Sequence, residues 1–348
     1  MTPADAAMSH AAERRPAAEC RAAAEHCPTA DHGPAGARRV VASAPGKINL
    51  ALAVGPLDAD GYHPLATVFL ALDLVETVEA VLPADDVPTA DALTLAFDPD
   101  SEIDVAGLAC DESNLAIRAA RALAEHAGVE ARAALRIRKR VPIAGGMGGG
   151  SADAAATLVA CDALWGLETP REELHAIART LGADVPFALD GGAAFGTGRG
   201  DRLEPVPAAG ELHVLLVLDA EGMSTPATYR ELDRLRETGE LPTPVETSVA
   251  SELLAALAAG DAEALAPRLA NDLQAPAIHL RPRLAEAIAD GVRYGALAGI
   301  VSGSGPTVAL LAARRDEAQH LAAQLELDGR RVLLASGPAP GARILDAS

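Results

Sequence analysis

The run Pro142-Ile143-Ala144-Gly145-Gly146-Met147-Gly148-Gly149-Gly150-Ser151-Ala152 is the stretch of this chain best suited to chemistry. Its five glycines leave backbone N–H groups uncovered, and the Ala- and Leu-rich segment behind it, up to Trp165 and Gly166, reads as a helix. Amides beside the positive end of a helix dipole suit phosphate oxygens. A glycine run can also be a flexible linker, but a linker has no capped helix start directly behind it. Ser151 stands where an N-cap belongs, with Asp153 in the first turn. No Lys follows the last glycine and the G-x-G-x-x-G spacing is missing, so this is neither a Walker A nor a dinucleotide loop. The cation that accompanies bound phosphate must come from elsewhere in the chain.

Lys47 is the first candidate. It follows Pro45-Gly46, and strand alternation puts it on one face with Asn49, opposite Ile48 and Leu50. A strand Lys can equally be a solvated side chain. Asp184 sits in Gly-Ala-Asp-Val-Pro-Phe with almost no polar neighbours, so it needs a partner, and a cation is the obvious one. The alternative is an N-cap for the short turn that follows. Tyr62-His63, after the turn Asp58-Ala59-Asp60-Gly61, offers a stacking face and a hydrogen-bonding edge, although such a pair also serves as turn packing.

The elements that must position these residues alternate along the chain. Strands are predicted from Arg39, at about 65–82, 92–97 and 132–139, with helices at 116–127, after the glycine loop, and from Pro170 to about Leu181. A Pro/Ala/Gly-rich passage at 205–210 marks a boundary. Strands and helices alternate beyond it, and Ser302-Gly303-Ser304-Gly305-Pro306-Thr307 forms a second glycine-rich turn. The domain plan is a disordered tail over 1–37, a first domain over 38–207 and a second over 208–348. The tail has almost no large apolar side chains to bury. Its His10, His26, His32, Cys20 and Cys27 are too irregularly spaced to favour a metal site.

A chain of 348 residues with 49% hydrophobic but only 2% aromatic residues must pack its cores from Ala, Val and Leu. The formal net charge of −20 argues against nucleic-acid and anionic-membrane partners, so any phosphorylated substrate needs locally gathered positive charge. Four Cys without a C-x-x-C pair point to reduced thiols and a cytoplasmic protein. No apolar run is long enough for a membrane span.

The series P-G-K-I-N-L, D-G-Y-H, P-I-A-G-G-M-G-G-G-S-A-D-A-A, G-A-D-V-P-F and S-G-S-G-P-T resembles the galactokinase, homoserine kinase, mevalonate kinase and phosphomevalonate kinase superfamily. The likeness spans about residues 40–340. P-G-K-I-N-L, D-G-Y-H and G-A-D-V-P select the branch acting on a cytidine diphosphate-linked methylerythritol. That resemblance implies an α+β, two-domain small-molecule kinase fold. Its N-terminal ATP-binding domain would contain a left-handed βαβ crossover, its C-terminal domain would be an α/β sandwich, and the active site would lie in the cleft between them. It implies ATP over the loop from Pro142 and Ala144 to Ala152, with Asn114 on the adenine side. Lys47 and Asp184 become the catalytic pair: Asp184 accepts the proton of the 2-hydroxyl, and Lys47 holds Asp184 ionised and offsets phosphoryl charge. Asn49 supports the acceptor, Tyr62 and His63 hold the cytosine, and Tyr229 is the second stacking aromatic. Mg²⁺ is expected between the phosphates, with Ser151 as the candidate ligand, in a monomer or homodimer. Gly46, Ala144, Asp153 and Tyr229 depart from the commoner residues without removing a donor or a π face. The competing readings are a homoserine- or mevalonate-type kinase, whose acceptors have no base to stack, a non-catalytic nucleotide- or RNA-binding protein, and a purely structural protein.

Overall fold

Strand β1 (Arg39–Val54) and strand β2 (Leu65–Val81) pair antiparallel along almost their whole length. Both are nearly continuous apolar runs because both faces of the sheet they found are covered. The computed structural model describes residues 38–83 and 92–348. The predicted disordered tail, with its His and Cys residues, lies outside the described residues.

Around β1 and β2 the first sheet adds β3 (Leu93–Phe97), β4 (Ala133–Arg138), β5 (Ala193–Gly198), β6 (Arg202–Pro205), β8 (Ala270–Asn271) and β12 (Arg343–Ala347). Its path runs β12-β1-β2-β4-β3, with β5 on β2, β6 on β5 and β8 parallel to β1. β3 and β4 are parallel neighbours joined through helix α1 (Leu115–Ala127), a βαβ unit. The second sheet has β7 (Leu212–Leu218), β9 (Ala298–Val301), β10 (Val308–Ala312) and β11 (Arg331–Gly337) in the order β11-β7-β10-β9. The sheets divide between Pro205 and Leu212. β8 and β12 then return to the first sheet, so the second half of the chain is stitched into the first.

Two cores follow. One lies between the first sheet and helices α1, α2 (Gly149–Trp165), α3 (Arg171–Leu181) and α4 (Val185–Asp190). The other joins Ile48, Leu50, Leu70, Leu72 and Met147 to Val214, Leu216, Ile300 and Ala309 of the second sheet. α2 is buried on nearly every side and mostly apolar, with Ala152, Ala154, Ala155, Ala156, Leu158 and Cys161 buried, as expected of a helix enclosed by protein. Its small side chains let α1 and the sheet approach closely. Among the described residues no helix is long and apolar enough to cross a membrane.

Candidate active site

β1 carries the first functional side chain. Lys47 Nζ donates to Asn49 Oδ1 at 2.8 Å, Asn49 Nδ2 donates to Thr67 Oγ1 at 2.7 Å, and that hydroxyl donates to the Ala51 carbonyl at 2.7 Å. Alternation does put Lys47 and Asn49 on one face, and both are buried. The chain of bonds fixes the ammonium before any substrate arrives. Asp184 immediately precedes α4, yet its side chain makes no capping bond. Its Oδ2 lies 3.6 Å from Lys47 Nζ, so residues 137 positions apart in sequence (184 minus 47) form an ion pair.

The glycine loop bends over this pair. Gly146 and Gly148 take φ of 74° and 70°, conformations that suit glycine. A Cβ on Gly148 would stand 3.4 Å from Lys47 Cγ and 3.6 Å from Asp184 Oδ2, in van der Waals contact with the pair, so the loop passes directly over it. A Cβ on Gly146 would fall 2.3 Å from the Ser302 carbonyl. The loop is pinned on both sides: Lys47 N–H donates to the Met147 carbonyl at 3.0 Å, and Ser302 Oγ donates to the Gly146 carbonyl at 3.3 Å. The second glycine-rich turn is therefore a brace for the first. α2 begins at Gly149 with Gly148 as N-cap, so Ser151 does not cap it and lies within the first turn. The N–H groups of that turn have no intrahelical partner and are available to an anion.

Beneath the loop lies a buried cluster that sequence reasoning missed. Lys139 Nζ contacts Glu76 Oε1 at 2.6 Å and Asp153 Oδ2 at 2.7 Å, and Glu76 also accepts from Arg140 N at 2.9 Å and Val141 N at 3.3 Å. Burial, with the Asp153 charge adding to it, pushes the Glu76 carboxyl up to about 7. Burial also raises Asp153, and the two acids hold the Lys139 ammonium above its usual range. Asp153 Oδ1 is buried without a hydrogen-bond partner beside the loop. The available signal was an acid in period-two register with Leu74, Val78 and Ala80, the apolar face of β2.

Two cavities meet at the loop. One, of about 390 Å³, is lined by Pro142, Ile143, Ala144 and the glycines to Ser151, with Phe97, Leu115 and Asn114. Asn114 is there, but its side chain is committed: Oδ1 accepts from Ala116 N at 2.9 Å and Nδ2 donates to the Ala109 carbonyl at 2.8 Å. The other cavity, of about 350 Å³, is lined by Lys47, Asn49, Asp184, Arg199, Thr225, Tyr229 and Ser304, among others. Gly146 and Gly148 line both. A donor resting on the loop and an acceptor in the second cavity would thus meet over Lys47 and Asp184.

Tyr229, on helix α5 (Thr225–Glu237), is raised to about 12 by burial and by the Asp184 charge, and so remains a neutral phenol. His63 packs 5.4 Å from its ring, with Nδ1 2.8 Å from the Gly55 carbonyl and Nε2 3.4 Å from Asp233 Oδ1. Both ring nitrogens are engaged within the protein. Tyr62 is half exposed beside the second cavity, with the Arg199 guanidinium 3.4 Å over its ring. Among the described residues no group of three or more His, Cys, Asp or Glu could hold a metal ion.

Comparison with known proteins gives the family. The family model of the GHMP kinases N terminal domain matches residues 114–192, and that of the GHMP kinases C terminal matches residues 253–330. The crystal structure of L. major mevalonate kinase in complex with R-mevalonate shares the fold at TM-score 0.68 and 16% identity, covering 89% of this chain and all of that one (100%). A 4-diphosphocytidyl-2-C-methyl-D-erythritol kinase of Leifsonia xyli subsp. xyli is 55% identical over 87% of this chain and 97% of its own length. Its namesake in Pseudarthrobacter chlorophenolicus is 51% identical over 89% and 96%. A crystal structure of 4-(cytidine 5'-diphospho)-2C-methyl-D-erythritol kinase matches with TM-score 0.68 at 31% identity, covering 85% of this chain and 98% of that one. The chain belongs to the GHMP kinases, in the branch of the 4-diphosphocytidyl-2-C-methyl-D-erythritol kinases.

Proposed function

We propose that this ATP-dependent kinase phosphorylates the 2-hydroxyl of 4-diphosphocytidyl-2-C-methyl-D-erythritol, the kinase step of the methylerythritol phosphate route to isoprenoids, with Lys47 and Asp184 as its catalytic pair. The observation that carries the reading is the 3.6 Å Lys47–Asp184 pair at the junction of the two cavities. Phosphoryl transfer needs in-line placement and charge stabilisation more than covalent participation by the protein. The first-turn amides of α2 and the loop N–H groups hold the phosphate oxygens. Asp184 accepts the hydroxyl proton as the acceptor oxygen attacks. Lys47, held by Asn49, faces the negative charge that develops on the moving group. Thr67 keeps Asn49 aimed at Lys47.

Mg²⁺ prefers oxygen ligands and takes many of them from substrate phosphates, which fits a loop whose own oxygen donor is the Ser151 hydroxyl. Bound there, the ion would neutralise charge on the β- and γ-phosphates. Tyr229 lines the acceptor cavity, and Tyr62 offers its ring beside it. We read it as a cytoplasmic enzyme, in keeping with four Cys that include no C-x-x-C pair, acting as a monomer or homodimer.

The base assignment is tested by Tyr62→Ala. Stacking of a base on an aromatic ring is worth roughly 1–3 kcal/mol, so KM for the cytidyl alcohol is expected to rise by about 5- to 150-fold. KM for ATP should stay at the wild-type value. Steady-state kinetics with each substrate varied in turn decide it, and equal losses for both substrates would refute cytosine stacking on Tyr62.

A further inference from the structure

We infer that Arg199 binds the diphosphate of the acceptor, clamping it at the mouth of the acceptor cavity while its guanidinium sits over the Tyr62 ring. The inference rests on the proposed function for the identity of the acceptor, and three observations lead to it.

Arg199 is built into place. It occupies the turn between β5 and β6, flanked by Gly198 and Gly200 with φ of 70° and 86°. Its own N–H donates to Asp201 Oδ1 at 3.0 Å, and Gly200 N–H donates to the Thr197 carbonyl at 3.0 Å. The pairing of Leu65 with Gly198 in the β2–β5 ladder then sets Arg199 beside the segment that carries Tyr62. The sequence Gly198-Arg199-Gly200-Asp201 thus fixes the backbone from which one long cationic side chain projects.

The charge is uncommitted. Among the described residues the Arg199 guanidinium has no carboxylate partner, and its one assigned contact is the Tyr62 ring at 3.4 Å. A guanidinium stacked on an aromatic face keeps its N–H edge free in the plane, which is the edge that grips phosphate through two parallel hydrogen bonds. Stacking also removes much of the side chain's freedom beforehand, so less is lost on binding.

The cavity needs such a group. The cations lining it are Lys47 and Arg199, and Lys47 is already held by Asn49 and Asp184. A diphosphate entering a chain of formal charge −20 meets repulsion that Asp184 adds to, and Arg199 is the lining residue free to offset it. The base would use the face of Tyr62 that Arg199 leaves open, so one tyrosine would organise base and diphosphate together.

The experiment compares wild type, Arg199→Ala and Arg199→Lys in KM for the cytidyl alcohol and in calorimetric binding of CDP and of cytidine. Loss of a bidentate charge-assisted contact is expected to weaken CDP binding and raise acceptor KM by about tenfold or more in Arg199→Ala. Cytidine affinity and KM for ATP should not move, and Arg199→Lys should fall between. CDP affinity unchanged in Arg199→Ala, or CDP and cytidine weakened alike, overturns the inference, the latter because Arg199 would then only buttress Tyr62. If wild type fails to turn over the cytidyl alcohol, the proposed function falls, while CDP binding still decides the role of Arg199.

Discussion

Asp184→Asn is expected to lower kcat by about 10²–10⁴-fold, the usual contribution of a positioned general base. The substitution keeps size and shape, and Asp184 makes no capping bond to α4, so the local fold loses nothing it depends on. What disappears is the anion facing Lys47 Nζ at 3.6 Å and, with it, the proposed acceptor for the hydroxyl proton. The nucleotide should be held as before, because the loop amides and the first turn of α2 are untouched. Pre-steady-state turnover with both substrates saturating separates the chemical step from product release, and ATP binding measured alone checks the nucleotide site. A variant within about threefold of wild type in single-turnover rate would show that no general base is needed at this position.

Lys139→Met should produce the largest loss of stability. Lys139 is enclosed between Glu76 and Asp153, and removing one partner of a buried charged group typically costs about 3–5 kcal/mol. The cluster bonds to the backbone of Arg140 and Val141 at the root of the glycine loop, so ATP affinity should fall with it. Acidity provides a second handle. With Glu76 raised to about 7 from an ordinary value of 4.5, the folded chain keeps a proton that the unfolded chain releases between those values. The folded state therefore binds more protons in that window, and stability falls as pH rises through it, levelling off above about 7. Lys139→Met should steepen this fall, since neither acid then has a cation. Urea denaturation of both proteins across that range measures it, and a variant as stable as wild type at neutral pH would show that the cluster is not held by its lysine.

Much of the site was legible because its chemistry is local in sequence. Period-two alternation placed Lys47 with Asn49, the strand–glycine–helix order located the loop that opens α2 and lines the first cavity, and the apolar setting of Asp184 required a cation. The pairing of Lys47 with Asp184 depends on α4 packing behind the loop, which no local pattern specifies. The start of α2 was read too late, since glycines are poor helix formers and the reading waited for a better residue. Tertiary contacts from β1 and from Ser302 hold those glycines in place, so the helix begins at Gly149 with a glycine cap. The return of β12 to β1, the bracing of Gly146 by the second turn and the meeting of Arg199 with Tyr62 arise from pairings between distant segments. Glu76 was hidden for a different reason. A single acid in a strand ordinarily faces water, and only the covering helix makes it a buried ligand of Lys139.

The measurement that reaches the centre of this account is the fate of the γ-phosphoryl group when wild-type enzyme and ATP are offered the cytidyl alcohol, homoserine and mevalonate side by side. Phosphorus NMR of the products is expected to show a new phosphomonoester on the 2-hydroxyl of the cytidyl alcohol alone, with the other two alcohols unchanged. A phosphorylated homoserine or mevalonate, or ATP left intact with all three, would contradict it.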